Sequence, residues 1–255
     1  FEWEGVENVQ DITDAVYPYQ DGSTAGYIWL DRNGTLYMSD LDDGQRSPVV
    51  ENGIQMAVGN WRFDGYKQLC AVLLKDNTVT LLSTGGKDPE DIPEGFAEAE
   101  NWEDITMLAC CSGREDGTGI LIGGKEDGTV EFVKSPSFPG NPDEGWNEIV
   151  SIHAGKYAIG AVKKDGTAIF LEDAPEYNYG QYNTSGWTDL SQLAMGQYHT
   201  VGLRKDGTVY ATGRNDAGQC EVEDWTDIVW ITAGDSCTIG IRADGTLAVA
   251  GEIGW

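Results

Sequence analysis

The stretch Asp206-Gly207-Thr208-Val209-Tyr210-Ala211-Thr212-Gly213-Arg214-Asn215-Asp216-Ala217-Gly218-Gln219-Cys220-Glu221-Val222-Glu223-Asp224-Trp225-Thr226-Asp227-Ile228 decides the fold of this chain. It opens on Asp-Gly, runs into the apolar segment Val209-Tyr210-Ala211-Thr212, and reaches Trp225 through a segment rich in turn residues. Asp-Gly between apolar runs is a hairpin turn, because both central residues tolerate positive φ. The same turn recurs as Asn33-Gly34-Thr35-Leu36, Asp76-Asn77-Thr78-Val79, Asp127-Gly128-Thr129-Val130, Asp165-Gly166-Thr167-Ala168 and Asp244-Gly245-Thr246-Leu247, at spacings of 43, 51, 38, 41 and 38 residues. Asn77 replaces glycine with the side chain that best tolerates the left-handed conformation. Six hairpins follow.

A second anchor precedes the turns. Trp146, Trp187 and Trp225 each stand 19 residues before a turn Asp, while Trp102 stands 25 before Asp127, an excess assigned to Ser112–Gly119. Each of the first three leads into a strand ending at Ala154-Gly155, Met195-Gly196 or Ala233-Gly234. A second strand such as Thr200–Leu203, the turn, and a third strand such as Val209–Thr212 come next. Gln219-Cys220-Glu221-Val222 reads as a short fourth strand. Four antiparallel strands of ~4–5 residues are the content of one propeller blade.

Val209 to Ile228 closely resembles the repeat of the regulator-of-chromosome-condensation family in its bacterial form. The likeness is specific over Trp187–Gly251, good from Trp102, and carried mainly by the turns before that. It implies a closed β-propeller, usually of seven blades. Here the ends suggest six: Glu2–Ile12 aligns with Gly218–Ile228, with Val6 on Val222 and Ile12 on Ile228. The expected fold is therefore all-β, one propeller domain over residues 1–255 with six four-stranded blades. The N-terminal strand Glu2–Val6 would complete the last blade and remove an exposed edge. A seven-bladed ring is the alternative.

Composition bounds the function. Glycine is 34 of 255 residues, about twice the usual share, as many turns require. The net charge of −27 repels phosphate backbones and anionic lipid, which argues against nucleic acid and membrane partners. No run is long and apolar enough to cross a bilayer as a helix. Acidity and a first residue, Phe1, that is not Met lead to the expectation of an extracellular or cell-surface protein. The five cysteines have no zinc spacing, and neither metal nor cofactor is expected. Cys110 and Cys111 are adjacent in a strand and should point to opposite faces.

Catalytic residues are not identified. His199 follows Gly196-Gln197-Tyr198 and is read as bonding within its blade; His153 is read as a packed strand residue. Neither has a nucleophile at a recognisable elbow. Asp127, Asp165, Asp206 and Asp244 are turn formers that satisfy local amides. The expectation is a non-enzymatic monomer; the alternative is a carbohydrate-active hydrolase or lyase with carboxylates in the central channel. The family resemblance further implies GTPase exchange with chromatin binding, which the charge opposes. It also brings in bacterial relatives that inhibit β-lactamase through an aromatic propeller face.

Loop length points to the binding face. Strands alternate direction, so first-to-second and third-to-fourth loops share one face and the Asp-Gly turns share the other. The long insertions 60–68, 83–101, 112–119, 134–145 and 172–186 all fall on the former, as binding loops on a rigid scaffold do. Two are aromatic: Trp61, Phe63 and Tyr66 in one, Tyr177, Tyr179 and Tyr182 in the other. These six are the candidate anchors for a protein or glycan partner. The segment 88–100 is read as a solvated excursion or a short helix.

Overall fold

The computed structural model describes residues 12–16, 28–39, 46–63, 67–83, 92–93, 95–111, 118–142, 145–172 and 175–253. Among them are six antiparallel sheets, each a meander in chain order. Sheet 1 holds β1 (Ile12–Val16), β2 (Ile28–Asp31), β3 (Leu36–Ser39) and β4 (Arg46–Val50). Sheet 2 holds β5 (Gly53–Phe63), β6 (Lys67–Leu74) and β7 (Val79–Ser83); sheet 3 holds β8 (Ile105–Cys111), β9 (Ile120–Lys125) and β10 (Val130–Lys134). Sheet 4 is β11 (Ile149–Ala154), β12 (Ala158–Lys163) and β13 (Ala168–Glu172). Sheet 5 is β14 (Leu190–Met195), β15 (His199–Arg204) and β16 (Val209–Gly213), and sheet 6 is β17 (Ile228–Ala233), β18 (Cys237–Arg242) and β19 (Leu247–Gly251). The first strands of sheets 2 to 6 neighbour one another in succession. The fold is all-β and propeller-like.

The turns form as their residue types require. In each of Asp76, Asp127, Asp165, Asp206 and Asp244 the carboxylate accepts from the backbone N–H and the hydroxyl of the Thr two residues on, at 2.9–3.2 Å and 2.6–2.7 Å. Those bonds favour the carboxylate and hold its pKa below the ordinary value. Asn77 adopts φ 65, beside Gly128, Gly166 and Gly207 at 82 to 84.

These turns also join the sheets. The carbonyls of Gly34, Asn77, Gly128, Gly166 and Gly207 accept from the N–H groups of Gly53, Ile105, Ile149, Leu190 and Ile228, the first residues of the next sheets, at 2.8–3.0 Å. The residue before each of those strands, Asn52, Asp104, Glu148, Asp189 or Asp227, has φ between 55 and 64. Each first strand then carries a register shift two residues in, as between Ile228 and Trp230. The shift between Ile12 and Asp14, with Ile12 opposite Asp31, gives Ile12 the register of Ile228, as the alignment of the two segments expects.

The core is layered, with an apolar slab between each pair of successive sheets from 1 and 2 to 5 and 6. Cys110 lies in the slab of sheets 2 and 3 and Cys111 in that of sheets 3 and 4, on opposite faces as alternation requires. The tryptophans fill these slabs over small residues. A Cβ on Gly123 would meet Trp102 Cε3 at 2.9 Å, and one on Gly202 or Gly240 would meet Cζ3 of Trp187 or Trp225 at 2.7 or 2.8 Å. Trp146 shares its slab with Ala161. Where Val50 stands in place of Trp, Val72 stands in place of Gly, and both are buried. Volume is conserved across each pair, as close packing demands. A buried Trp contributes about 5 kcal/mol of gross burial.

Among the described residues sheet 1 has four strands and the other five sheets have three. One expected fourth strand is corrected. The segment 219–222 is a turn, because the N–H of Glu221 bonds the Gly218 carbonyl and that of Val222 the Cys220 carbonyl. Its alternation looks strand-like, yet Gln219 is drawn inward and buried (2% exposed) with Val222. Of the two readings of 88–100, the short helix is the one found, a 3-10 helix over Phe96–Asn101, with Phe96 and Ala99 buried in the slab of sheets 2 and 3. Glu2–Val6 lies outside the described residues. At sheet 6, Leu247 is 61% exposed whereas Val209, at the same register position in sheet 5, is 7% exposed. Gly245 likewise meets nothing within 4 Å of an added Cβ.

Candidate functional site

The junction of sheets 4 and 5 gathers four tyrosines on the loop-bearing side. Tyr157 comes from the β11–β12 turn, Tyr198 from the β14–β15 turn, and Tyr177 and Tyr179 from the loop after β13. Tyr157 stacks on Tyr177 with ring centroids 4.8 Å apart and on Tyr198 at 5.7 Å; Tyr179 meets Tyr198 edge-on at 4.8 Å. These spacings are those of favourable aromatic pairs. Tyr157 is buried, Tyr177 is 39% exposed and Tyr179 is 52% exposed. Burial, then a hydrogen bond with Tyr157, pushes the Tyr198 hydroxyl pKa up, and Gln197 Nε2 donates to that hydroxyl at 3.1 Å.

Two cations of the chain already use these rings. The Arg214 guanidinium sits 5.8 Å from the centroids of both Tyr179 and Tyr198, and Lys156 Nζ sits 5.5 Å from that of Tyr157. Asp216 Oδ2 accepts from Arg214 Nε at 2.6 Å and raises the guanidinium pKa.

The loop is built from below. Buried Gln181 accepts from the Tyr179 N–H at 2.5 Å and donates to the Tyr177 carbonyl at 2.8 Å. Asn178 Oδ1 accepts from the Gly180 N–H at 2.8 Å, and Thr212 Oγ1 donates to the Gly180 carbonyl at 3.1 Å. Gly180 has φ 90, open to glycine at little cost. Two exposed aromatic rings thus sit on a loop whose backbone is pinned at Tyr177, Tyr179 and Gly180.

A cavity of about 460 Å³ runs along the first strands of sheets 2 to 6. Gln55 forms a two-bonded clip to the backbone of Leu108, and Gln192 another to Ile231, at 3.0–3.1 Å. Between sheets 4 and 5 the equivalent work falls to His153, whose Nε2 lies 3.5 Å from the Leu193 N–H and 3.1 Å from Ser151 Oγ. Burial lowers the His153 pKa to about 4. The titratable lining among the described residues is His153 and Cys110, and burial raises the Cys110 pKa. His199 bonds not within its blade but across to sheet 6, Nε2 to Thr238 Oγ1 at 2.9 Å, and Thr238 donates to the Gln219 carbonyl at 2.8 Å. Among the described residues no cluster of three metal-ligating side chains occurs.

The anchor residues expected from sequence part company. Tyr177 and Tyr179 join the cluster, whereas Tyr182 tilts against Phe170 at 5.4 Å on the side of the sheet. Trp61 and Phe63 lie on β5, which runs on as a hairpin to Phe63 opposite Lys67; their side chains and Tyr66 lie outside the described residues. Sequence reasoning missed Tyr157, Tyr198, Lys156 and Arg214. The available signal was Gly-x-Tyr at both 155–157 and 196–198, two equivalent turns of neighbouring units.

Residues 190–219 match the family described as the regulator of chromosome condensation (RCC1) repeat. Solved structures similar to it include human WBSCR16, at 13% identity and TM-score 0.63, covering 96% of this chain and 78% of that one. Prp20p of Saccharomyces cerevisiae, studied for its binding to Gsp1p and histones, is similar at 12% identity and TM-score 0.59, covering 91% and 72%. The SapL1 lectin, solved with α-methyl fucoside, is similar at 11% identity and TM-score 0.50, covering 96% and 95%. At such identities the likeness is one of fold. No curated protein matches the chain. The matched RCC1 repeat spans sheet 5 and ends on buried Gln219.

Proposed function

We propose that this chain is a non-enzymatic scaffold that binds a partner protein on the face bearing the tyrosine cluster. The observation that carries this reading is the exposure of Tyr177 and Tyr179 on a loop held by hydrogen bonds from Gln181, Asn178 and Thr212. Ordered aromatic rings bind at little entropic cost and supply the anchors of interfaces. RCC1-type folds such as Prp20p are studied as protein binders, which favours protein over glycan. The scaffold reading includes a closed ring of six blades, the last completed by the N-terminal strand Glu2–Val6. Leu247→Asp tests closure: a closed ring loses about 1–3 kcal/mol, an open one nothing measurable.

The function is tested by affinity capture with the intact protein and with Tyr177→Asn/Tyr179→Ala. A partner retained by the first and lost by the second supports the reading. Retention by both, with loss on substitution at Thr208 or Thr246, moves binding to the turn face. Turnover of a polysaccharide that stops on substitution of a carboxylate on the cavity side overturns the non-enzymatic reading.

A further inference from the structure

We infer that the open ring of Tyr177 receives an arginine from a basic segment of the partner, which deepens the scaffold reading and rests on it. Four observations converge. The aromatic cluster already attracts cations, with Arg214 placed against both Tyr179 and Tyr198 and Lys156 over Tyr157. Tyr177 is 39% exposed, and one side of its ring is taken by Tyr157. Carboxylates flank it in sequence: Glu176 is exposed, and Glu172 Oε2 accepts from Asn178 Nδ2 at 3.3 Å. The whole chain carries −27, a field that draws a basic segment and speeds its arrival at low salt.

Guanidinium suits the site better than ammonium. It is planar, stacks on a ring face, and keeps its N–H groups in plane to reach a carboxylate. Arg214 displays the same arrangement within the chain, lying against two rings while its Nε donates to Asp216. Tyr177 offers the ring for a second such arrangement, with the arginine supplied from outside.

The test is a titration of the full chain with a hexapeptide, Arg-Gly-Gly-Arg-Gly-Gly, and with its counterpart in which citrulline replaces both arginines. Ring ¹³C and ¹H shifts of the tyrosines are followed by NMR. The arginine peptide is expected to shift Tyr177 first, and the citrulline peptide to bind about tenfold more weakly, the size of one cation–π contact. Tyr177→Phe should retain the affinity, Tyr177→Leu lose about tenfold, and Glu176→Gln lie between. Equal binding of both peptides, or shifts confined to other residues, would overturn the inference. So would Tyr177-dependent binding on a glycan array without peptide binding. If neither peptide binds while partner capture still depends on Tyr177 and Tyr179, the arginine chemistry fails and the scaffold reading stands. If capture is independent of the cluster, both fail.

Discussion

The junction of sheets 4 and 5 and the junction of sheets 5 and 6 share a backbone and differ in what it displays. Each has a glycine at positive φ, Gly180 at 90 and Gly218 at 78. Each is followed by a buried glutamine, whose Oε1 accepts the N–H two residues back, from Tyr179 in one and Ala217 in the other. Each loop is bonded by a threonine of the next sheet, Thr212 or Thr238. On this common frame, Tyr177 and Tyr179 occupy the places of Asn215 and Ala217, and Tyr157 and Tyr198 stand in turns whose counterpart in sheet 6 is Asp235-Ser236. Aromatic display is therefore a property of side chains added to a repeat loop, separable from the loop's own stability. Inside the cavity the junctions differ again: Gln192 clips the second with two bonds, and His153 reaches across the first with one long contact.

The largest expected effect would break the symmetry of these junctions with acid. His153 stays neutral in the folded chain down to about pH 4, against an ordinary value of 6.5. The unfolded chain binds the proton first, so stability is full above pH 6.5 and falls as pH drops towards 4, by at most about 3 kcal/mol. Ser151→Gln with His153→Ala copies the Gln192/Ala194 pattern and should flatten that part of the urea-denaturation profile. A drop unchanged in the double variant assigns it elsewhere.

Next comes the shared frame. Gln181→Ala and Gln219→Ala should each cost about 1–3 kcal/mol, because each leaves buried polar groups unpaired. Only Gln181→Ala should also weaken partner capture. Unequal thermal stabilities would show that the two frames are not equivalent. Smaller still is the effect of converting one loop into the other. Tyr177→Asn/Tyr179→Ala should leave stability within about 1 kcal/mol, while Tyr179→Ala alone weakens partner binding by about 1–3 kcal/mol in calorimetry. Thr246→Val, on the turn face, should leave binding unchanged.

What could be read beforehand follows from how local each feature is. The Asp-Gly-Thr turns were legible because carboxylate, hydroxyl and left-handed residue lie within three positions. The register of Ile12 follows from its alignment with Ile228, and the division of Cys110 from Cys111 from strand alternation alone. The fourth strand was misread because Gln219, Cys220, Glu221 and Val222 alternate like a strand, while the outcome depends on a buried amide satisfying the turn. The tyrosine cluster was half legible. Tyr177 and Tyr179 stood out within one segment, but Tyr157, Tyr198 and Arg214 join them only when two sheets pack side by side. His199 was read within its blade for the same reason, since its partner Thr238 is 39 residues away.

The pairing of each tryptophan with a small residue in the sheet that follows it has an evolutionary consequence. Trp102 with Gly123, Trp187 with Gly202 and Trp225 with Gly240 each lie in one contiguous segment that starts at the tryptophan. A copied segment that starts there brings its own complementary volume to any place in the array. One that starts two residues later arrives without it, and would set Trp against Val72 or Val against a glycine, overfilling or emptying the slab. Neither member of a pair can change size alone without loss, so substitutions at these positions are expected to be inherited together. The heritable cassette begins in the connection, ahead of the sheet it serves.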